Sequence, residues 1–253
     1  MLRTIEILGY RVLNESAQTI AQSVIDGLDT GKRRTCVFLN PHSVAIAERD
    51  PEFRNVVTQS TDVFCDGVGL SLASLVLNRR RVHRVYGYEF FMALSTELSA
   101  RKRGRVFFLG GHPDTTAELV RKYRTEFPGV AHVDFFAPPF RPEFSDEDIH
   151  DMAQHVDAAQ TEILWVGLGS PKQEKVLHRL MQVCHARCGA AIGAAFDFYT
   201  GRIPNAPRWM RQAGLQWAHR LALEPTRLWR RTAISAPLFL SQVLREFAQP
   251  RKR

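Results

Sequence analysis

The chain has 253 residues, 45% of them hydrophobic, and a formal net charge of +8. This length and composition favour a globular α/β protein with ample core and exclude a low-complexity or fibrous chain. Four cysteines in a chain of this size predict a reduced, cytoplasmic protein and not a disulfide framework. The start, MLRTIEILGY, lacks signal-peptide features, and the apolar run over residues 233–244 is too short to span a bilayer.

Positive charge is concentrated at the C-terminal end. Residues 201–253 hold eleven Arg or Lys and two Glu, a net charge of +9, which leaves −1 of the total for residues 1–200. A charge confined to one end marks a surface with an anionic partner. Nucleic acid, lipid headgroups and a diphosphate substrate all fit. We therefore predict an α/β catalytic core over residues 1–200 and a basic helical appendage over residues 201–253.

Strands and helices alternate along the chain. The pattern predicts strands over residues 5–12, 34–39, 61–65, 105–109, 130–136, 162–166 and 189–195, and helices over 17–28, 43–49, 70–77, 114–127, 146–156 and 171–181. Repeated βα units of this length predict a Rossmann-like, mostly parallel sheet with helices on both faces. Ligands of such sheets bind beyond the carboxyl ends of the strands.

Polar or glycine-rich segments directly follow five of the predicted strands. They are Asn40, Asp66, Gly110-Gly111, the Gly167–Gly169 turn and Asp197. Because the carboxyl ends of parallel strands meet at one edge of a sheet, we predict that these segments converge on a single rim. That rim is the predicted site.

Asp66 is the main candidate for chemistry. It follows the apolar run 63–65 and precedes Gly67, where a helix is predicted to begin. A carboxylate in this place could simply cap the helix, or it could act as a general base. The residues alone favour neither interpretation.

The segment GSPKQE, residues 169–174, opens another predicted helix. Ser170 suits the N-cap, Pro171 suits the first helical position, and Gln173 would complete a capping box. A helix N-terminus behind glycines also binds phosphate or the polar edge of a sugar through its free N–H groups. The structural and the functional interpretation are compatible.

No metal and no cofactor are predicted. Cys184, His185 and Cys188 lie close together, with His178 nearby, but the second cluster usual for structural zinc is absent from the sequence. The D-x-D motif at residues 146–148 falls in a predicted first helical turn, where carboxylates favour the helix dipole. We therefore expect arginines, and not a metal ion, to meet any diphosphate charge.

Two functional classes can be weighed from the residues alone. A nicotinamide-dependent oxidoreductase is disfavoured because Gly167-Leu168-Gly169 lacks the third glycine of the dinucleotide fingerprint. A basic nucleic-acid-binding module predicts exposed aromatic side chains among the arginines. Trp209, Trp217 and Trp229 stand at spacings that could equally pack a helix against the core.

Seven motifs in order resemble the WecG/TagA/CpsF glycosyltransferases. They are FLNPH (38–42), CDGVGL (65–70), HRVYGYEF (83–90), FFLGGHP (107–113), GLGSPKQE (167–174), GAAFDFYTGRIPNAPRWM (193–210) and GLQWAHRLALEPTRLWRR (214–231). The resemblance implies an inverting transferase that moves a sugar from a UDP-sugar, of the N-acetylmannosamine type or glucose, to a polyprenyl-diphosphate-linked sugar. It also implies work at the inner face of the cell membrane in surface polysaccharide synthesis.

The resemblance also implies roles for particular residues. Asp66 would take the proton of the acceptor hydroxyl, with Asn40 beside it. Donor and sugar contacts would come from Gly67, Gly69, Gly110, Gly111, Gly169, Lys172, Gln173, Glu174, Phe196 and Asp197. The acceptor diphosphate and an anionic membrane surface would meet Arg202, Arg208, Arg220, Arg227, Arg230 and Arg231. The expected partners are then donor, acceptor and membrane and not nucleic acid, and a homo-oligomer is compatible with the sequence.

The chain departs from the pattern of the family at three places. Phe38 stands where Thr is usual, Asn205 begins the triplet that is usually Arg-Ala-Pro, and Gln216 replaces the Glu before Trp217. The cores of the motifs are kept. The departures therefore bear on the identity of the donor and leave the reaction class unchanged.

Overall fold

The computed structural model describes residues 2–248 and, within them, all side chains except those of Pro113, Arg208, Gln212, Arg227, Leu228, Arg230 and Arg231. The strands are β1 (Thr4–Ile7), β2 (Tyr10–Leu13), β3 (Arg34–Leu39), β4 (Asp62–Cys65), β5 (Arg105–Gly110), β6 (His132–Phe136), β7 (Ile163–Gly167) and β8 (Cys188–Ala191). They form one sheet in the order β1-β2-β4-β3-β8-β7-β5-β6. β1 pairs antiparallel with β2, and all other neighbours run parallel. The predicted α/β fold with a mostly parallel sheet is confirmed.

Helices cover both faces of this sheet. They are α1 (Ala17–Leu28), α2 (Pro41–Ala47), α3 (Pro51–Gln59), α4 (Val68–Asn78), α5 (Gly87–Ala100), α6 (Pro113–Glu126), α7 (Asp146–Ala158), α8 (Lys172–Val183), α9 (Ala195–Thr200), α10 (Arg208–Gln212), α11 (Gln216–Leu223) and α12 (Pro225–Ala248). On one face, α1, α5, α6 and α9 share a core with the strands. On the other face, α2, α3, α4 and α12 pack over one half of the sheet, and α7 and α8 over the other half.

The N-terminal strand predicted over residues 5–12 is wrong in detail. The chain turns back at Leu8 and Gly9, which both have positive φ, 54° and 77°. Ile7 then pairs with Tyr10 in an antiparallel register. A two-residue turn of this kind matches the twist of the strands that flank it, so a hairpin forms where the residue pattern alone indicated one strand.

The last strand is shorter than predicted. The expected strand over residues 189–195 ends at Ala191, and a new helix, α9, begins at Ala195. Gly193, with φ of 56°, lies in the turn between them. Since glycine adopts positive φ readily, the Gly-Ala run contains a turn and does not extend the strand.

α12 connects the C-terminal end of the chain to the core. It packs along α2 and α4, and its Phe239 and Val243 are buried in the same cluster as strand residues of β3 and β4. His42, at the start of α2, is hydrogen-bonded through Nδ1 to the hydroxyl of Ser235, at 2.6 Å. The domain boundary at residue 200 stays a prediction. α12 lies after this boundary, and its Phe239 and Val243 are part of the core.

Candidate active site

The parallel strands bring the predicted residues to one edge of the sheet. Asn40 follows β3, Asp66 follows β4, and Gly110 and Gly167 are the last residues of β5 and β7. The predicted rim is therefore confirmed for these four. Asp197 reaches it by a different route, because it lies in the first turn of α9 and does not directly follow a strand.

Asp66 is half-buried and held by its neighbours on β3. Its backbone N–H donates to the carbonyl of Leu39 at 2.8 Å, and its carboxylate accepts from Nδ2 of Asn40 at 3.2 Å. The N-cap of α4 is Gly67, with φ of 91° and no side chain capping it. Asp66 is therefore not the N-cap of α4, and the helix-cap interpretation is wrong.

Asn40 has two tasks in this arrangement. Its Oδ1 caps α2 by accepting from the backbone N–H groups of His42 and Ser43, both at 3.0 Å. Its Nδ2 faces Asp66. Because the cap fixes the amide plane, Asn40 orients the carboxylate of Asp66. A direct contact between Asn40 and a sugar stays a prediction.

Asp66 adjoins the buried side chain of Cys65, and arginine side chains lie nearby. Burial raises the pKa of the Cys65 thiol to about 12, and the negative charge of Asp66 adds to this. Burial also raises the pKa of Glu89, while the charges of Arg211 and Arg84 oppose that shift. Sequence reasoning gave none of these neighbours a role at Asp66, although Arg84 and Glu89 lie inside the HRVYGYEF motif.

A cavity of about 190 Å³ lies at the ends of β5 and β7, and predicted donor residues line it. Gly111, Phe196 and Asp197 are among these residues, together with Arg202 and the start of α6. Arg202, which was predicted to meet the acceptor, lines this cavity beside residues that were predicted to bind the donor. The start of α6, marked by its N-cap His112, is a lining element that sequence reasoning did not identify.

Two glycines allow close packing at the strand ends, Gly167 against α9 and Gly110 against the end of β7. A Cβ added at Gly167 would lie 2.5 Å from the ring of Phe196, and one at Gly110 would lie 2.6 Å from the carbonyl oxygen of Gly167. A side chain at Gly167 would push α9 away from the sheet, and one at Gly110 would push against the end of β7. Gly110 thus shapes the cavity through packing. Gly69 packs equally tightly, since a Cβ there would lie 2.5 Å from the ring of Pro41.

The start of α8 differs from its prediction. Pro171 is the N-cap, Lys172 is the first helical residue, and Ser170 does not cap the helix. Gln173 is buried and accepts from the N–H of Gly169 at 3.2 Å, while its Nε2 donates to Glu174 at 3.0 Å. The same Nε2 lies 3.3 Å from the carbonyl of Ala191, at the end of β8. Gln173 and Glu174 therefore brace the rim from within.

Lys172 points toward the loop that follows β6. Its ammonium donates to the carbonyl of Arg141 at 2.7 Å and lies 5.0 Å from the ring centroids of Phe140 and Phe144. Desolvation lowers the pKa of Lys172. A donor contact of Lys172 stays a prediction, because these contacts hold it to the loop.

An aromatic cluster of Tyr86, Tyr88 and Phe198 joins the C-terminal helices to the rim. Arg211 of α10 donates through Nη1 to the hydroxyl of Tyr86 at 2.5 Å. The rings of Tyr86 and Tyr88 stack, and Tyr88 meets Phe198 edge-on. Arg220 of α11 lies over Phe198, 5.6 Å from its centroid, and 3.7 Å from Glu224. The cluster therefore fixes two arginines on the rim.

Several polar atoms in this region are buried without a hydrogen-bond partner among the described residues. They are Asn205 Oδ1, Arg211 Nε, His219 Nδ1 and Arg220 Nε, with Ser170 Oγ at the start of α8. Buried polar groups in native proteins are almost always satisfied, and such a concentration indicates where a polar ligand or water binds. Two of these atoms, Arg211 Nε and Arg220 Nε, are donors of cationic side chains, which suit an anion.

A family model settles the relationship that the motifs indicated. The model of the glycosyl transferase WecG/TagA/CpsF family matches residues 5–253. The chain belongs to this family. Membership also makes it a glycosyltransferase, and the oxidoreductase alternative falls away.

Two bacterial relatives carry the same printed name, N-acetylglucosaminyldiphosphoundecaprenol N-acetyl-beta-D-mannosaminyltransferase. The one from Bacillus subtilis (strain 168) is 29% identical over 211 residues, which cover 82% of this chain and 78% of the relative. The one from Bacillus spizizenii (strain ATCC 23059 / NRRL B-14472 / W23) is 27% identical over 221 residues, which cover 86% and 81%. The similarity therefore extends over most of both chains.

One departure of this glycosyltransferase from its family has a packing explanation. Phe38 is buried and stacks on Phe64, with ring centroids 4.6 Å apart, and it also neighbours Phe90. The ring replaces a small polar side chain with core volume two residues before Asn40.

The side chains of Arg208, Arg227, Arg230 and Arg231 lie outside the described part of the structure, so their roles stay predictions.

The acidic residues that could suggest a metal have structural roles instead. Asp148 completes a capping box with Ser145, and Asp146 is paired with Arg179 at 2.6 Å. In the described part of this glycosyltransferase, no group of three His, Cys, Asp or Glu side chains is placed to hold a metal ion.

Within residues 2–248, none of the helices has the length and hydrophobicity that crossing a bilayer requires.

Proposed function

We propose that the protein is an inverting transferase that moves N-acetylmannosamine from a UDP donor to a polyprenyl-diphosphate-linked N-acetylglucosamine. Glucose is the alternative donor sugar. The acceptor is taken from the names of the two relatives. The observation that carries the mechanism is the Asn40–Asp66 pair at the rim, because it presents an oriented carboxylate that does not cap a helix.

In this mechanism Asp66 acts on the acceptor. Its carboxylate takes the proton of the acceptor hydroxyl while that oxygen attacks the anomeric carbon of the donor sugar. The bond from that carbon to the UDP oxygen breaks on the opposite side, so the configuration inverts. Asn40 keeps the carboxylate oriented throughout.

The donor diphosphate would bind at the 190 Å³ cavity. The start of α6 supplies free backbone N–H groups, and Arg202 supplies a guanidinium, both of which suit phosphate oxygens. Phe196 and Asp197 would contact the rest of the donor. No step needs a metal ion, since cationic side chains meet the charge of the leaving group.

The acceptor diphosphate would bind between the rim and the C-terminal helices. Arg211 and Arg220 carry buried guanidinium N–H groups without a protein partner in the described region. Both are attached to the aromatic cluster beside Asp66. The predicted contacts of Arg227, Arg230 and Arg231 would add to this site from α12.

The helices after residue 200 would hold the enzyme on the inner face of the membrane, where it would act in surface polysaccharide synthesis. Trp209, Trp217 and Trp229 are between 52% and 63% exposed. A nucleic-acid-binding module predicts such exposure too. Interfacial helices also combine exposed Trp with Arg or Lys, and family membership favours this second explanation. DNA binding is therefore tested alongside.

The test is a donor screen with the full-length protein. UDP-N-acetylmannosamine, UDP-glucose and UDP-N-acetylglucosamine are each offered with a short-chain prenyl-diphosphate-N-acetylglucosamine. We expect product from the first donor, with an inverted anomeric configuration by NMR. Retained configuration would contradict the mechanism, and no transfer from any UDP-sugar would contradict the donor class. Tight, salt-sensitive DNA binding without vesicle binding would support the nucleic-acid alternative for the C-terminal helices.

A further inference from the structure

An apolar stripe on α4 is open to solvent. Leu72, Leu75 and Val76 are between 38% and 54% exposed, at the spacing that places side chains on one side of a helix. Leu70, Ala73 and Leu77 on the other side are buried against the sheet. Exposed apolar side chains that lie together mark a contact surface more often than single ones do.

α12 carries a second apolar stripe. Leu240, Leu244 and Phe247 are between 57% and 63% exposed. Gln242 and Arg245 reach Glu48 at the end of α2, at 3.1 and 3.8 Å. At about 100° per residue, the apolar stripe lies on the side of α12 away from Glu48.

The two stripes lie on neighbouring helices. α12 contacts both α2 and α4, so the exposed stripes belong to two helices that touch each other. We call the six side chains Leu72, Leu75, Val76, Leu240, Leu244 and Phe247 the α4–α12 surface. It belongs half to the core and half to the C-terminal region.

Three consecutive arginines stand at the end of α4, next to this surface. Arg79, Arg80 and Arg81 are all exposed. No ion pair with a carboxylate holds any of them within the described part of the chain. An apolar surface with unpaired arginines at its edge is complementary to an anionic lipid bilayer.

We propose that the α4–α12 surface docks on an anionic membrane, with its apolar side chains at the acyl boundary and Arg79–Arg81 against lipid phosphates. The inference rests on the proposed function, since a lipid-linked acceptor requires the bilayer. It adds that a helix of the core, and not only residues after 200, makes the contact.

The position of α4 relative to the site supports this choice. Asp66 immediately precedes the N-cap of α4, and Leu72 lies roughly 6 Å along the helix from its first residue, at 1.5 Å per residue. Docking on this side therefore brings the rim to headgroup level. The acceptor diphosphate lies at the same level, because its prenyl chain is in the bilayer.

The experiment compares two triple variants with a matched control. One variant carries Leu72→Gln, Leu75→Gln and Val76→Gln, and the other Arg79→Gln, Arg80→Gln and Arg81→Gln. The control, Lys102→Gln with Arg121→Gln and Arg187→Gln, removes three exposed positive charges elsewhere. Each full-length protein is sedimented with phosphatidylglycerol-containing vesicles at low and high salt. Transfer is measured to a short soluble acceptor and to a long-chain acceptor in the vesicles.

We expect the arginine variant to bind the vesicles about 100-fold more weakly at low salt, since each of the three arginines near the surface contributes about a factor of five. The Leu/Val variant should lose about ten-fold or more. Both should keep the rate with the soluble acceptor and lose rate with the embedded one. The control should behave as the wild type.

Wild-type sedimentation of both triple variants would overturn the inference, even if transfer confirms the proposed function. So would a wild-type protein that ignores vesicles but dissociates from dimer to monomer when the α4–α12 surface is changed. If sedimentation depends on α4 while no acceptor receives sugar, the docking surface stands and the proposed function fails.

Discussion

The sheet and the C-terminal helices differ in how they use apolar side chains. β5 and β7 bury side chains on both faces, as in Phe107 and Phe108 or Leu164 and Trp165. α10 to α12 leave Trp209, Trp217 and Trp229 exposed. A parallel sheet must be covered on both sides, so its apolar residues are fully used for stability. Exposed aromatic rings contribute little to stability and indicate contact with a partner.

The joint between the two regions lies beside Asp66. Arg211 and Arg220 come from the C-terminal helices, and Tyr86 and Phe198, which hold them, come from the core. If the comparison is right, changes in the core should alter folding, changes at the rim should alter turnover, and changes at the joint should alter transfer without altering folding.

The largest effect is expected at the rim. Asp66→Asn should lower turnover by about 100-fold or more, the usual scale for losing a general base, because the amide cannot take a proton. Folding and donor binding should be kept, since the side chain caps no helix. The measurements are initial rates and donor affinity by calorimetry.

The matched control is Asp50→Asn. Asp50 caps α3 through its side chain, so it shares the chemistry of a carboxylate at the start of a helix. Turnover should stay near wild type in the control. Near-normal turnover in the Asp66 variant would show that another group is the base.

The second effect tests the core. Arg34 and Asp62 form a two-point ion pair at 2.6 and 2.9 Å across β3 and β4, and their side chains are only 15% and 6% exposed. Asp62→Asn should destabilise the protein by about 3 kcal/mol, because it leaves a mostly buried guanidinium without its counter-charge. Urea unfolding measures this.

An exposed residue of the C-terminal helices provides the contrast. Trp217→Gln should change the free energy of unfolding by about 0.5 kcal/mol or less, since it lies on the surface. Equal destabilisation by the two substitutions would contradict the division into a core that stabilises and helices that bind.

A smaller effect is expected at the joint. Tyr86→Phe removes the hydroxyl that accepts from Arg211. A hydrogen bond to a charged group contributes about 1.5–3 kcal/mol, so transfer should fall about ten-fold if Arg211 must be held in place. Tyr88→Phe keeps the neighbouring ring and should have little effect. Equal losses in both variants would show that the hydrogen bond between Arg211 and Tyr86 is not the cause of the effect.

Much of the fold followed from local patterns. β3, β5 and β7 were predictable because each is a short apolar run between turn signals. α5 was missed because it is buried under the sheet and its sequence, GYEFFMALSTELSA, shows no clean polar face. α3 was also missed, although Asp50 and Pro51 are start signals for a helix.

The sequence predicted the location of the site at one edge of the sheet but not the contacts between its side chains. The order of βα units indicates which strand ends carry polar residues, and Asn40 and Asp66 were found in this way. Their contact depends on β3 lying beside β4 with Leu39 opposite Cys65, and strand order is not a local property. Tyr86 and Arg211 are still further apart in the chain, so no spacing rule could join them.

The smallest change in activity is expected on removal of metal ions, which should have no effect. Asp146 and Asp148 are held by Arg179 and by the capping box of α7, and α7 lies over the outer half of the sheet with α8. The charge of the leaving diphosphate should therefore be met by arginines, among them Arg202 at the donor cavity. Activity should persist in EDTA at the wild-type rate, while Arg202→Gln should lower it. Loss of activity in EDTA with recovery on adding Mn²⁺ or Mg²⁺ would contradict this and would require carboxylates to bind the donor diphosphate through a metal ion.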